Sequence, residues 1–192
     1  MNYSEIFPTV IGITEVTTKI PEELKSLEAC KSIGNERSIN SYVLDKYETL
    51  KEELEYHANE YFKEVFNPKS KDNHIYITQS WMNYTNSGGF HHKHFHPNSF
   101  LSGVLYIDVN EQDSISFVKR TTELLQIEPK SYNRYNSSEA FFNVANNSLV
   151  LFSSLLFHEV CGTNNKNRIS LAFNTFIKGT IGSDQGLAEL KL

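Results

Sequence analysis

The chain has 192 residues, a length that favours one domain, and 39% of them are hydrophobic, which suffices for a core and excludes a disordered protein. The 18 basic residues are outnumbered by 23 acidic ones, and no stretch concentrates Lys and Arg, so nucleic acid and anionic membranes are not expected partners. No apolar run reaches the length of a membrane span, and the opening MNYSEIF lacks a secretory signal, so we expect a cytoplasmic protein.

The first part of the chain, residues 1–72, is predicted to be mainly helical. A short β-branched run at 9–16 is the exception and predicts an edge strand. Pro21 and the acidic residues after it open a predicted helix over PEELKSLEACKSI. The clearest helix covers residues 41–66, where apolar side chains recur every three or four positions until an Asn-Pro pair ends the pattern.

The rest of the chain is predicted to consist of short strands separated by polar turns. The candidate strands are residues 74–82, 100–109, 114–118, 140–144, 148–153 and 168–178. Strands of this kind after helices predict a single α+β domain over residues 1–192, in which an antiparallel sandwich or barrel at 73–178 carries helices on its outside. Residues 119–139 have weak periodicity and are predicted to form a long loop or lid, with Arg120, Tyr132 and Arg134 as candidate substrate contacts.

Four of the seven histidines lie within six residues, in the segment GGFHHKHFHPNS, and His158 follows far downstream in LFHEV. Imidazole is the commonest protein ligand for transition metals, and residues two apart on a strand share a face. His94 with either His92 or His96 therefore forms a candidate pair of ligands, and His158 is the candidate third. Two ligands close in sequence and a third far downstream are the ligand arrangement of the facial triad in non-haem iron oxygenases, here with histidine in place of the carboxylate. The alternative is a solvated loop that is merely rich in histidine.

Two of the predicted strands carry polar side chains suited to a carboxylate. Arg168 and Ser170 share one face of strand 168–178, whereas the opposite face is predicted to belong to the core and carries Ile169, Leu171, Phe173, Thr175 and Ile177. Tyr106 on the strand at 100–109 is a candidate hydroxyl donor to the same carboxylate, and Tyr84 is a second candidate for the cavity. The alternatives are a surface ion pair for Arg168 and a core position for Tyr106.

Three blocks of sequence carry a resemblance to a known family. They are QSWMNYTNSGGFHHKHFHPNSFLSGVLYIDV, SLVLFSSLLFHEV and NRISLAFN. These blocks resemble the 2-oxoglutarate/Fe(II) oxygenases of marine bacteria and their phages, whose pattern runs W-x-N, H-x-H-P-N-S-x-x-S-G-x-Y-Y, L-F-P-S-x-x-x-H and R-I-S-x-x-F-N. The resemblance spans residues 73–178 and departs from the pattern at Ser153 and Leu105, where the family has Pro and Tyr. The segment IFPTVIG is also similar to the family's N-terminal opening.

The resemblance implies a double-stranded β-helix, or jelly roll, that holds Fe(II) and 2-oxoglutarate inside its mouth. It implies that the metal is bound by His94, His96 and His158. It also implies that Arg168 pairs with the distal carboxylate of 2-oxoglutarate, and that Tyr84 matches the pocket tyrosine of prolyl-hydroxylase-type oxygenases. Ser170 and Tyr106 are expected to assist Arg168.

The sequence thus predicts a 2-oxoglutarate-dependent dioxygenase that uses O2, releases succinate and CO2, and hydroxylates a small molecule or a protein side chain. A phage-encoded protein of this kind would act in the host cytoplasm.

Two alternatives stay open. One is a three-histidine, cupin-type metal dioxygenase that does not use 2-oxoglutarate, in which Arg168 binds a substrate carboxylate. The other is a non-catalytic jelly-roll module whose histidines hold a ligand or a structural zinc, with His92 as the fourth zinc ligand.

Overall fold

The computed structural model describes residues 1–120, 127–164 and 167–192, and it contains two antiparallel sheets and one long helix, α1 (Glu48–Phe66). The strands are β1 (Ile11–Glu15), β2 (Ala29–Lys31), β3 (Glu36–Ser38), β4 (His74–Thr85), β5 (His91–His94), β6 (Leu101–Asp108), β7 (Ser114–Val118), β8 (Glu139–Asn143), β9 (Ser148–Ser153), β10 (Phe157–Val160), β11 (Arg168–Lys178), β12 (Thr180–Ile181) and β13 (Leu190–Lys191). In these residues, no helix combines the length and apolar character needed to cross a membrane.

The two sheets are built from strands that alternate between them along the chain. The large sheet has the order β1-β9-β6-β11-β4-β3-β2, and the small sheet has the order β5-β10-β7-β8. Between β4 and β11, four strands belong to the large sheet and four to the small one, so the chain winds back and forth across the gap. This winding is the double-stranded β-helix, which confirms the predicted fold. A separate hairpin of β12 and β13 follows it.

The large sheet has two different faces because its side chains alternate: one face is apolar, and the other carries polar residues beside Val150 and Phe152, which form a second apolar cluster with the small sheet. Its apolar face packs against α1, whose buried residues Leu50, Leu54, Ala58 and Phe62 form one stripe along the helix. Ile169, Leu171 and Phe173 of β11 belong to this core, as predicted, whereas Arg168 and Ser170 point to the opposite face. The face that carries the polar residues is therefore turned toward the small sheet.

Residues 1–72 are not helical throughout, because three of their segments join the large sheet. The strand β1 lies at the sheet edge, as predicted for residues 9–16. The predicted helix after Pro21 is only a short 3-10 turn, Glu22–Ser26, followed by the hairpin of β2 and β3. Gly34 permits this hairpin, since its φ of 81° is left-handed and a Cβ there would lie 2.6 Å from the Phe90 carbonyl oxygen.

The helix predicted for residues 41–66 is interrupted near its start. A 3-10 turn, Val43–Lys46, comes first, and Tyr47 has the non-helical angles φ −129° and ψ 67° before α1 begins. The Leu44 amide donates a hydrogen bond to the Ser80 hydroxyl (2.9 Å), which ties the turn to β4. Tertiary hydrogen bonding therefore overrides the helical periodicity of this segment.

Glu53 of α1 fixes the chain that leaves β1. Its carboxylate accepts hydrogen bonds from the amide and the hydroxyl of Thr17 (2.7 and 2.8 Å) and from the amide of Thr18 (2.8 Å). Partial burial raises the pKa of this carboxyl group, but the hydrogen bonds from Thr18 and Thr17 outweigh it and lower the pKa from 4.5 to about 2. The hydrogen bonds of the folded protein therefore stabilise the ionised form of Glu53.

We expect Glu53→Gln to lower the free energy of unfolding at pH 7 by about 1–3 kcal/mol, because charge-assisted hydrogen bonds are lost. A depressed folded pKa stabilises the protein above the unfolded value, and this contribution disappears as the pH falls from 4.5 toward 2. Urea denaturation over that pH range should therefore show a shallower pH dependence in the variant. The exposed neighbour Glu52 provides the matched control Glu52→Gln, and equal effects of the two substitutions would contradict this assignment.

Candidate active site

A cavity lies between the small sheet and the face of the large sheet that carries Arg168 and Ser170. Six of the seven predicted site residues line it: His94, His96, His158, Arg168, Ser170 and Tyr106. They come from four strands and one loop that are far apart in the sequence. The winding of the jelly roll is therefore what brings these residues together.

Strand pairing places two of the histidines directly opposite each other. His94 at the end of β5 and His158 near the start of β10 are Cα partners in the small sheet, and their ring centroids are 4.2 Å apart. His96 completes the group, because one ring nitrogen from each of the three histidines lies within 4.8 Å of the other two. This spacing suits three ligands of one metal ion and selects His96 rather than His92 as the partner of His94.

The loop after β5 holds His96 in place. The His96 amide donates to the Ser154 carbonyl (2.8 Å), and the Ser154 hydroxyl is hydrogen-bonded to the hydroxyls of Ser99 (2.7 Å) and Ser102 (2.8 Å). Asn98 adopts a left-handed φ of 57° at the bend of this loop. A network of short polar side chains thus positions the one histidine of the three that is not on a strand.

The histidines are in the protonation state that metal binding requires. Nδ1 of His94 lies 2.7 Å from the His92 carbonyl oxygen and Nδ1 of His158 lies 3.0 Å from that of Leu156, so each Nδ1 carries the proton and each Nε2 keeps its lone pair. Burial, reinforced by the neighbouring rings, lowers the pKa of His96 to about 3 and that of His158 to about 4. Burial also lowers the pKa of His94. Three neutral imidazoles of this kind fit a divalent first-row metal.

Arg168 is buried and paired with an acidic residue. Its Nη1 lies 3.4 Å from Oδ1 of Asp113 and 3.4 Å from the Cys161 carbonyl oxygen, and only 4% of Arg168 and 3% of Asp113 are exposed. Asp113 Oδ1 also accepts a hydrogen bond from the Thr163 hydroxyl (2.7 Å). Burial lowers the pKa of Arg168, and Asp113 opposes this effect, so the guanidinium is held charged inside the protein.

Tyr106 brings an unpartnered hydroxyl to the same cavity. Its side chain is 1% exposed, and its oxygen has no hydrogen-bond partner in the described part of the chain. Burial raises the pKa of Tyr106, so the hydroxyl keeps its proton and can donate a hydrogen bond. Ser170 is the Cα partner of Tyr106 across β11 and β6. A buried hydroxyl without a partner, next to a buried cation, fits a ligand carboxylate.

The prediction that Tyr84 contacts the co-substrate is wrong. Its hydroxyl donates to the Leu24 carbonyl (2.8 Å) and accepts from the Leu27 amide (3.0 Å), and its ring packs against the core on the α1 side of the sheet. Its neighbours Asn83 and Thr85 line the cavity instead. Successive residues of a strand point to opposite faces, so Tyr84 has no access to the site.

Two residues that shape the site escape sequence reasoning. His91 lines the cavity although alternation from His94 favours His92, and Asp113 reaches Arg168 from the turn before β7. The sequence contains a weak signal for each. For His91 the signal is the abundance of histidine in this segment, and for Asp113 it is the need of a buried arginine for a counter-ion.

The predicted lid is described only in part. Its residues 121–126 lie outside the described residues, and its Arg134 forms an ion pair with Glu5 (3.0 Å).

Fold and site together define the class of the molecule, a double-stranded β-helix protein with a three-histidine candidate metal site. Comparison with known sequences agrees: the profile of the 2OG-Fe(II) oxygenase family matches residues 79–174, half of the chain. The protein belongs to this family, and its cofactors are accordingly Fe(II) and 2-oxoglutarate. No curated protein sequence matches the chain.

Solved structures with this fold include three oxygenase-like enzymes, all of low sequence identity. An oxidoreductase of the 2OG-Fe(II) oxygenase family from Burkholderia pseudomallei is 15% identical, with a TM-score of 0.55 over 80% of this chain and 74% of that one. HygX from Streptomyces hygroscopicus, solved with nickel, 2-oxoglutarate and hygromycin B, is 11% identical, with a TM-score of 0.54 over 87% and 82%. The epimerase SnoN from nogalamycin biosynthesis, solved with Fe3+, alpha ketoglutarate and nogalamycin RO, is 7% identical, with a TM-score of 0.54 over 78% and 68%. These likenesses establish the shared fold.

We expect Asp113→Ala to destabilise the protein by about 3 kcal/mol, because it leaves the Arg168 guanidinium buried without a counter-ion. The double variant Asp113→Ala/Arg168→Met should recover part of this loss, since it leaves no unpaired buried charge. Thermal and urea denaturation measure both effects, with Asp108→Ala as the control at an exposed acid nearby. A loss below about 1 kcal/mol in the single variant would show that the pair does not hold this end of the cavity.

Proposed function

We propose that this oxygenase binds Fe(II) through His94, His96 and His158 and holds 2-oxoglutarate with Arg168, assisted by Tyr106 and Ser170. The reaction is the hydroxylation of a small molecule or a protein side chain, carried out by residues 1–192 as a single domain. The observation that carries the proposal is the shared cavity, in which three neutral histidines and a buried arginine line one space.

The three histidines support a mononuclear catalytic metal rather than a structural one. Structural zinc sites are closed by four protein ligands, whereas catalytic sites keep positions open. Among the described residues, the group of converging ligand atoms at this site consists of three histidines. A fourth protein ligand, as the zinc alternative requires of His92, is not part of this group, and three ligands leave room for a chelating co-substrate and O2.

Arg168 and Tyr106 support a dicarboxylic co-substrate. The guanidinium adds a positive charge beside the distal carboxylate, and the Tyr106 hydroxyl donates a hydrogen bond to it, so this buried hydroxyl gains the partner that it otherwise lacks. When bound, Fe(II) and 2-oxoglutarate supply the oxidation, in which the co-substrate becomes succinate and CO2 and one oxygen atom of O2 enters the substrate. The side chains of this protein hold the two reagents together and keep the cavity dry.

One feature favours the second candidate, a three-histidine dioxygenase that does not use 2-oxoglutarate. Within the described parts of the chain, the group of converging ligands contains no carboxylate, so these ligands bring no negative charge to the metal. Arg168 would then bind the carboxylate of the substrate itself. The two candidates differ in whether 2-oxoglutarate coordinates the iron.

An anaerobic titration of the protein with Fe(II) and then 2-oxoglutarate tests this difference. We expect the weak visible charge-transfer band of chelated 2-oxoglutarate in the wild type, because the co-substrate binds the metal through its 2-oxo acid group. His158→Ala should abolish the band by removing a metal ligand, and Arg168→Met should weaken 2-oxoglutarate binding by about tenfold or more, the value of one charge-assisted hydrogen bond. His92→Ala is the control and should leave the band unchanged.

Three results would contradict the proposal. Iron that binds without a band on addition of 2-oxoglutarate would favour the three-histidine dioxygenase. Equal loss of metal affinity in His92→Ala and His158→Ala would favour a closed, four-coordinate site. Absence of metal binding would leave a non-catalytic jelly-roll module.

A further inference from the structure

The strand β5 contains a β-bulge beside the metal site. Its His94 pairs with His158 and its His91 pairs with Val160, so three steps along β5 match only two along β10. In a regular strand His92 would share the face of His94, but the extra residue turns His91 to that side. The cavity is accordingly lined by His91 and His94, and His92 does not line it.

His91 lies against the metal site without belonging to the ligand group. Its ring stacks on that of His94, with the centroids 4.5 Å apart and the planes inclined by 15°. The converging nitrogens come from His94, His96 and His158 only, so the described geometry gives His91 no place among the ligands. Its ring nitrogens are therefore left for hydrogen bonding rather than for metal coordination.

Both ring nitrogens of His91 are available for that purpose. His94 and His158 each use Nδ1 on a backbone carbonyl, whereas His91 makes no hydrogen bond within the described residues. A neutral imidazole offers one donor and one acceptor.

The position of His91 lies between the two ends of the cavity. Its strand partner is Val160. The residue after Val160, Cys161, contributes the carbonyl oxygen that lies 3.4 Å from Nη1 of Arg168. His94, on the other side of His91, is the metal ligand. Along β10 the order is His158, Val160 and Cys161, so His91 lies on the part of the cavity wall between the metal end and the Arg168 end.

We propose that His91 is a further active-site residue that hydrogen-bonds 2-oxoglutarate where it lies between the metal and Arg168. The bulge in β5 is the structural device that places it there. This inference rests on the proposed function, because it takes 2-oxoglutarate as the ligand.

Calorimetric titration of the Mn(II)-loaded protein with 2-oxoglutarate tests the role of His91. We expect His91→Phe, which keeps an aromatic ring to stack on His94, to bind Mn(II) within threefold of the wild type and 2-oxoglutarate at least tenfold more weakly. His91→Gln restores a donor and an acceptor and should recover part of that loss. His92→Phe is the matched control on the adjacent residue, and both of its affinities should stay within threefold.

The outcomes separate this inference from the proposed function. Unchanged 2-oxoglutarate affinity in His91→Phe would overturn the inference alone. A parallel loss of Mn(II) affinity would also overturn it, because His91 would then support the metal and not the co-substrate. A wild-type protein that binds Mn(II) but not 2-oxoglutarate would contradict the proposed function and the inference with it. Thermal midpoints show whether each variant is folded, and His91→Gln provides the comparison if His91→Phe does not fold.

Discussion

The antiparallel pairing of β5 with β10 is the interaction on which the site depends. It sets His94 opposite His158 although 64 positions separate them in the sequence, and the paired backbones fix how far apart the two rings lie. His96 then needs only a short bend, held by hydrogen bonds to Ser154, to bring its nitrogen to the same point. A shift of one residue in this pairing would turn the histidines away from each other, since side chains alternate between the faces of a sheet.

The cavity has two chemically different ends, and burial acts differently on each. At the metal end, burial keeps the histidines neutral, which preserves the lone pairs that a metal needs. At the other end, burial alone would penalise the Arg168 cation, and Asp113 offsets that penalty. The unpartnered hydroxyl of Tyr106 lies in the same cavity, where a ligand carboxylate can accept a hydrogen bond from it. Neutral ligands, a fixed cation and an unused donor together favour a small anionic chelator.

Sequence reasoning succeeded where one side of a strand is apolar and the other polar. The predicted bounds of β7, β9 and β11 agree with the structure, and Arg168 was placed on the correct face because the residues between the polar ones are all apolar. It failed for Tyr84, since the end of β4 has buried residues on both faces and its sequence mixes aromatic and polar side chains without a clear alternation. His91 was missed because a bulge depends on the partner strand, which the local sequence does not reveal. Asp113 was missed because a turn rich in polar residues usually faces solvent.

The most direct test of the account is a crystal structure of the protein with Mn(II) and 2-oxoglutarate. Mn(II) replaces Fe(II) without supporting turnover, so the complex can be observed intact. The account predicts one ion bound by the Nε2 atoms of His94, His96 and His158, with the distal carboxylate of 2-oxoglutarate within hydrogen-bond distance of Arg168 and Tyr106. An ion enclosed by four protein side chains, or 2-oxoglutarate bound away from Arg168, would contradict it.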